Sequence, residues 1–173
     1  MLQHTLYSDI VFNMSDALKA KIKQRIDFAD PADEAMLNLM VAADTVRTQM
    51  DRFFAAYEIT MGQYNVLRIL RGAGCDGHPR CEIAARMVER APDITRLIDR
   101  LEKQKLVIRD RSEEDRRQSV ARISQKGLDL LDQIEPELSE FNNQISQKLS
   151  LPEWIALTSL CEKIYAEPKE LKT

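Results

Sequence analysis

The side chains best equipped for chemistry in this 173-residue chain are its clustered arginines. Between positions 86 and 126 there are 12 Lys and Arg against 8 Asp and Glu, a local net charge of +4. The remainder holds 13 against 20, a net of −7, so the overall charge of −3 hides the asymmetry. A guanidinium fork matches the paired oxygens of phosphate and the major-groove edge of guanine, which points this segment toward a polyanion. Charge alone favours an ordinary solvated surface, because the overall pI is acidic, about 5.5. Catalytic patterns are absent: His4 and His78 are the only histidines, and no Ser/His/Asp set or phosphate-cradling glycine loop is found. Cys75, His78 and Cys81 are spaced to supply three zinc ligands, but a fourth is not nearby. The sequence therefore predicts neither an enzyme nor a cofactor or metal protein. Three sparse cysteines fit a reducing cytoplasm, and neither a secretory signal nor a membrane-spanning apolar run is visible.

The elements that must position these arginines read as mainly helical. Val11, Met14, Leu18, Ile22 and Ile26 recur at helical spacing over residues 8–29, and Asp30-Pro31 interrupts the pattern. Residues 33–57 predict a second helix with the stripe Met36, Leu37, Met40, Ala43, Val46, Met50, Phe53, Phe54 and Tyr57. Thr60 and Gln63 read as a capping box for a helix from Met61 to Arg71, with Tyr64, Leu67 and Leu70 inward. Gly72, Gly74, Gly77 and Pro79 mark a loop. Two short helices follow at about 80–88 and 92–105, with apolar faces Ile83, Ala84, Met87, Val88 and Ile94, Leu97, Ile98, Leu101. Pro92 suits the first turn of the second. That pair, closely joined, reads as a helix-turn-helix. Residues 106–123 read as a β-hairpin with a polar tip, a wing, with Ser119, Ala121 and Ile123 facing in. Ser124 is a good cap for a helix to about Leu149, broken or bent near Pro136. A last helix starts at Leu151-Pro152-Glu153.

The string Ala91-Pro92-Asp93-Ile94-Thr95-Arg96-Leu97-Ile98-Asp99-Arg100-Leu101-Glu102, then Leu106-Val107, Arg109, Glu114-Asp115-Arg116-Arg117 and Ile123-Ser124-Gln125-Lys126-Gly127, resembles the MarR family of winged helix-turn-helix regulators over about residues 33–165. Departures are Lys105 where the family usually has Gly, Arg90 where a small capping residue is common, and a long segment 1–31. The resemblance implies a mainly α fold with a small β-hairpin wing. It divides the chain into an N-terminal helical extension (1–31), a helical dimerisation region (32–58 and 128–173) and a winged DNA-binding region (59–127).

The resemblance also implies a homodimeric regulator, in most cases a repressor, that binds double-stranded DNA at a pseudo-palindromic operator. Arg90, Pro92, Asp93, Thr95 and Arg96 would stand at the groove-entering end of the recognition helix. Arg96 would read guanine, while Asp93 is better explained by the helix N-terminus. In the wing, Arg111, Arg116 and Arg117 would reach the minor groove or phosphates, Asp115 would orient an arginine, and Arg109 would brace the wing base. An amphipathic or phenolic effector would sit near Met50, Phe54, Tyr57 and Tyr64, residues that simple core packing also explains. Two alternatives remain at this point: a winged-helix protein-interaction module without DNA binding, and a thiol-based redox sensor. Against the latter, no cysteine precedes Cys75, whereas the family's sensing cysteine lies near its first helix.

Overall fold

The computed structural model describes residues 16–89, 93–111 and 119–166. The chain divides into two compact units, Met1–Met61 and Gly62–Thr173.

In the first unit, α1 spans Asp16–Ile22 and α2 spans Pro31–Ala55. The helix expected over 8–29 is shorter at its far end. Lys23 turns to φ +57, and the Gln24 N–H closes onto the Lys19 carbonyl at 3.0 Å. The Lys19 ammonium pairs with Asp27 across the turn. Ile26 therefore leaves the apolar stripe and is exposed. Asp30 and Pro31 start α2 rather than merely separating two helices: Asp30 accepts from the Ala32 N–H at 2.8 Å, and Pro31 occupies the first turn, where its missing N–H costs nothing. At the far end Glu58 adopts φ +56, and the Ile59 N–H reaches the Phe54 carbonyl, a left-handed stop of the Schellman type. Phe54 and Ile59 are buried, but Met36, Met40 and Val46 on α2 are exposed, so only part of the expected stripe is covered within the chain.

The second unit is built around α3 (Met61–Ala73), α4 (Arg80–Arg86), α5 (Ile94–Lys103), α6 (Gln125–Ser146) and α7 (Leu151–Tyr165). Its sheet has three strands: β1 (His78–Pro79), β2 (Val107–Arg111) and β3 (Ser119–Ile123), in antiparallel order β1-β3-β2. Val107 faces Ile123 and Arg109 faces Ala121; of the residues expected to face in, Ala121 is buried and Ser119 and Ile123 are half-buried. Strand β1 was not anticipated from the sequence. Gly77, at φ +66, makes it possible, because a Cβ there would meet the Ala121 carbonyl oxygen at 2.4 Å. Pro79, lacking an N–H, sits where a sheet tolerates it, on the edge strand.

Val66, Leu67 and Leu70 of α3, Ile83 of α4, Ile98 and Leu101 of α5, Val107 and Ala121 of the hairpin, and Leu131 and Ile134 of α6 are all buried. Tyr64, expected inward, is half-buried; its hydroxyl accepts from Arg68 at 3.0 Å. Val88, expected on the apolar face of the first short helix, is exposed because α4 stops at Arg86. The helix α6 is continuous through Pro136. At the start of α7 the Glu153 carboxylate accepts from both the hydroxyl and the N–H of Ser150 at 2.7 Å, and these two bonds, the hydroxyl's first, lower its pKa. No helix among the described residues is long and apolar enough to cross a membrane.

Candidate nucleic-acid interface

Helix α5, the expected recognition helix, is held on two of its three faces. Ile94, Ile98 and Leu101 recur every three to four residues and bury one face in the second unit's core. A second face meets the wing. Arg109 of β2 pairs with Asp99 and with Glu102, one helical turn apart, so one guanidinium ties the helix to the hairpin. Arg122 of β3 pairs in turn with Asp110 of β2 across the hairpin. At its C-terminus α5 ends in a left-handed residue, Lys105 at φ +61. The Leu106 N–H bonds the Leu101 carbonyl at 2.9 Å, and the Lys105 N–H bonds Glu102 at 2.9 Å. This is the Schellman pattern, and it supplies the physical reason glycine would suit position 105.

The third face of α5 is open. Arg96, Arg100 and Lys103 fall at i, i+4 and i+7 and are all exposed, which makes a basic stripe along the helix. At its head Asp93 is the N-cap. One carboxylate oxygen accepts from the Arg96 N–H at 3.1 Å, and the other lies 2.7 Å from Arg96 Nε. Thr95 is half-buried and its hydroxyl accepts from Arg80 of α4 at 3.1 Å. Arg80, Thr95, Cys81, Ile98, Arg109 and Ala121 are among the residues lining a cavity of about 390 Å³ between the two short helices and the wing base.

Of the expected DNA contacts, Asp93, Thr95 and Arg96 are thus brought together at one end of α5. Arg90 and Pro92 lie outside the described residues, as do Asp115, Arg116 and Arg117 of the wing; Arg111 ends β2, and its side chain lies outside them too. Arg80, Arg100 and Lys103 were not singled out from the sequence. The stripe of Arg100 and Lys103 was readable from helical spacing to Arg96. The approach of Arg80 to Thr95 was not, because it depends on how α4 packs.

Met50 and Tyr57, expected near an effector, are half-buried on α2 and in the turn that follows, and Phe54 between them is fully buried. Phe53 stacks edge-on against Phe54 at 5.2 Å and lies 5.6 Å from Tyr57. Tyr64 belongs to α3 in the second unit. Cys75 and Cys81 are exposed and Cys161 half-buried, all as free thiols. Among the described residues no cluster of three His, Cys, Asp or Glu side chains is placed to hold a metal.

Comparison with known proteins bears on the whole arrangement. The profile of the MarR family matches residues 59–119, from the start of α3 to the wing. A MarR transcription factor from Planctomyces limnophilus, known from its crystal structure, is 34% identical. The match covers 79% of this chain and 98% of that one, with a TM-score of 0.63. The HTH-type transcriptional regulator MhqR of Bacillus subtilis is 25% identical over 126 residues, 73% of this chain and 86% of the regulator. The fold is also that of MepR in the S. aureus MepR–DNA complex, at 22% identity and a TM-score of 0.64, covering 75% of this chain and 94% of that one. With a winged helix-turn-helix in place and a relative of this identity matched over nearly its full length, the chain belongs to the MarR family of transcriptional regulators.

Proposed function

We propose that the protein is a cytoplasmic, homodimeric repressor that binds a pseudo-palindromic operator in double-stranded DNA, with no catalytic step. The observation that carries this reading is α5 itself: one face is buried, one is tied to the wing by Arg109, and the third presents Arg96, Arg100 and Lys103 outward. A helix fixed in this way can enter a major groove as a rigid body, with Arg96 toward base edges and the other cations toward phosphate. Thr95 and Arg80 are positioned for the same approach, and Arg90, Pro92, Arg111, Asp115, Arg116 and Arg117 are assigned to the interface by their place in the sequence. Winged helices in this reading occupy residues 59–127, and residues 32–58 and 128–173 supply dimerisation. Two-fold symmetry sets half-site centres about 34–36 Å apart. The MepR complex, of the same fold, is a complex with DNA, which supports the partner class. Release by a small amphipathic or phenolic ligand belongs to the same reading.

The test is selection of duplexes from random DNA by the full-length protein, followed by titration at several salt concentrations. The reading expects an inverted-repeat sequence and a linear loss of log affinity with log salt. Arg116→Ala with Arg117→Ala is expected to weaken binding to every sequence and flatten that slope. Retention of no duplex at low salt would replace this reading with the protein-interaction module.

A further inference from the structure

The first turn of α5 contains an arrangement that charge alone would disfavour. Arg96 is the third helical residue, where the N-terminal end of the helix dipole repels a cation. Asp93 compensates by using its two oxygens on the same neighbour: one caps the Arg96 N–H, the other holds Arg96 Nε at 2.7 Å. The contact with Nε leaves the two terminal amino groups of the guanidinium at its far edge. Among the described residues these groups make no further ion pair or hydrogen bond. That far edge is the one that can donate side by side to guanine O6 and N7.

Resting on the DNA-binding reading above, we propose that Asp93 is a positioning residue for specificity: it fixes Arg96 as a base reader and disfavours its use as a general phosphate contact. Two physical effects act together. An unrestrained arginine must order several rotors to meet a base edge, and it meets any phosphate with less constraint. Tying Nε removes much of that freedom before DNA arrives, so the gain falls on the one geometry the fixed edge fits. The carboxylate also places a negative charge beside the DNA backbone, which penalises every sequence alike. Only a site whose base accepts from Arg96 offsets that penalty. That uniform penalty weakens non-specific binding, while the discrimination itself comes from the fixed edge of Arg96.

The experiment separates this role from simple helix capping. Serine and asparagine are good N-caps, so Asp93→Ser keeps the cap and removes the carboxylate, and Asp93→Asn does the same at equal size. Full-length wild type and both variants are titrated against the duplex selected by wild type and a scrambled duplex at matched salt, with thermal melting in parallel. Melting is expected to stay close to wild type. Affinity for scrambled DNA is expected to rise, and the ratio of selected to scrambled affinity to fall about fivefold or more, the scale of one base contact. In an Arg96→Ala background the same Asp93→Ser change is expected to leave the ratio unaltered, because the effect passes through Arg96. An unchanged ratio in both single variants overturns the proposal, and so does a loss that persists without Arg96. Failure of wild type to prefer any duplex is a different result; it removes the DNA-binding reading and this inference with it.

Discussion

Arg109 and Lys105 show how single residues that follow the recognition helix fix its position. The guanidinium of Arg109 is three-quarters covered, while its partners Asp99 and Glu102 are each nearly half exposed, at 43% and 44%. Solvent screens such pairs, so the stabilisation is modest, about 1 kcal/mol. Its larger consequence is geometric, since one side chain spans helix and wing. Arg109→Ala is expected to lower stability in chemical denaturation by about that amount and to weaken operator binding by a larger factor. Arg109→Lys is not expected to restore binding, because a lysine cannot hold two carboxylates with a fixed fork. Equal operator affinity in wild type and Arg109→Ala would remove the brace from the account. Lys105 acts on the backbone alone. At φ +61 a side chain carries a cost that glycine does not, and Lys105 is exposed. Lys105→Gly is expected to raise stability by up to about 1 kcal/mol, reduced by the greater freedom glycine gives the unfolded chain. A destabilised variant would mean that the Lys105 side chain makes a contribution the backbone angle hides.

The joint between the recognition helix, the wing and α6 is the element-level device on which the site depends. The Ser124 hydroxyl donates to the Lys105 carbonyl at 2.7 Å and accepts from the Gly127 N–H at 3.0 Å, while the Ser124 N–H bonds the Leu106 carbonyl at 3.0 Å. One residue thus ties the end of the segment after α5 to the first turn of α6. Gly127 allows the approach, because a Cβ there would stand 2.4 Å from the Leu106 oxygen and 2.8 Å from Ile123. Gly127→Ala must push backbone against backbone. It is expected to destabilise by about 2 kcal/mol or more, in the range of overpacked cores, and a melting temperature equal to wild type would refute the crowding argument. The sequence made much of this legible. The Ile94, Leu97, Ile98, Leu101 period marked α5, Ser124 was a readable cap, and Arg109 was readable as a brace. What escaped was set by non-local pairing or by local backbone exceptions. Strand β1 is two residues long and exists only through its register with β3, so no alternation announces it. Lys23, Glu58 and Lys105 each take the left-handed angle that composition assigns to glycine, and the apolar pattern running past Ile22 to Ile26 concealed the helix end at Lys23.

At the scale of the whole molecule, the single chain leaves two helices incompletely covered. The helix α7 has no buried residue; Leu151, Ile155, Leu160 and Ile164 are all more than half exposed. At 15 residues it is near the length where an isolated helix is marginal in water. Its polar ties among the described residues include a bond from the Trp154 indole to the Ser146 carbonyl at 2.9 Å and the Ser150–Glu153 cap. Those polar contacts orient the helix but do not bury its apolar side chains. On α2, Met36 and Met40 are similarly exposed. A second copy of the chain, bringing the same apolar surfaces by two-fold symmetry, would cover them, and an obligate dimer of this kind buries more than about 2,000 Å². The expected outcome is a wild-type dimer at micromolar concentration by sedimentation. Leu160→Glu with Ile164→Glu, which removes no side chain from the chain's own buried core, is expected to sediment as a monomer with the winged unit still folded. That monomer retains α5 and its Arg96 but reaches only one half-site. It is expected to hold a half-site duplex about as well as the wild-type lobe does, and to lose the added affinity of the full operator. Inserting five base pairs between half-sites turns them by about half a helical turn. It is expected to impose the same loss on the wild-type dimer and none on the monomeric variant. A variant that stays dimeric, or a wild type indifferent to the insertion, would show that the lobes do not bind as a symmetric pair.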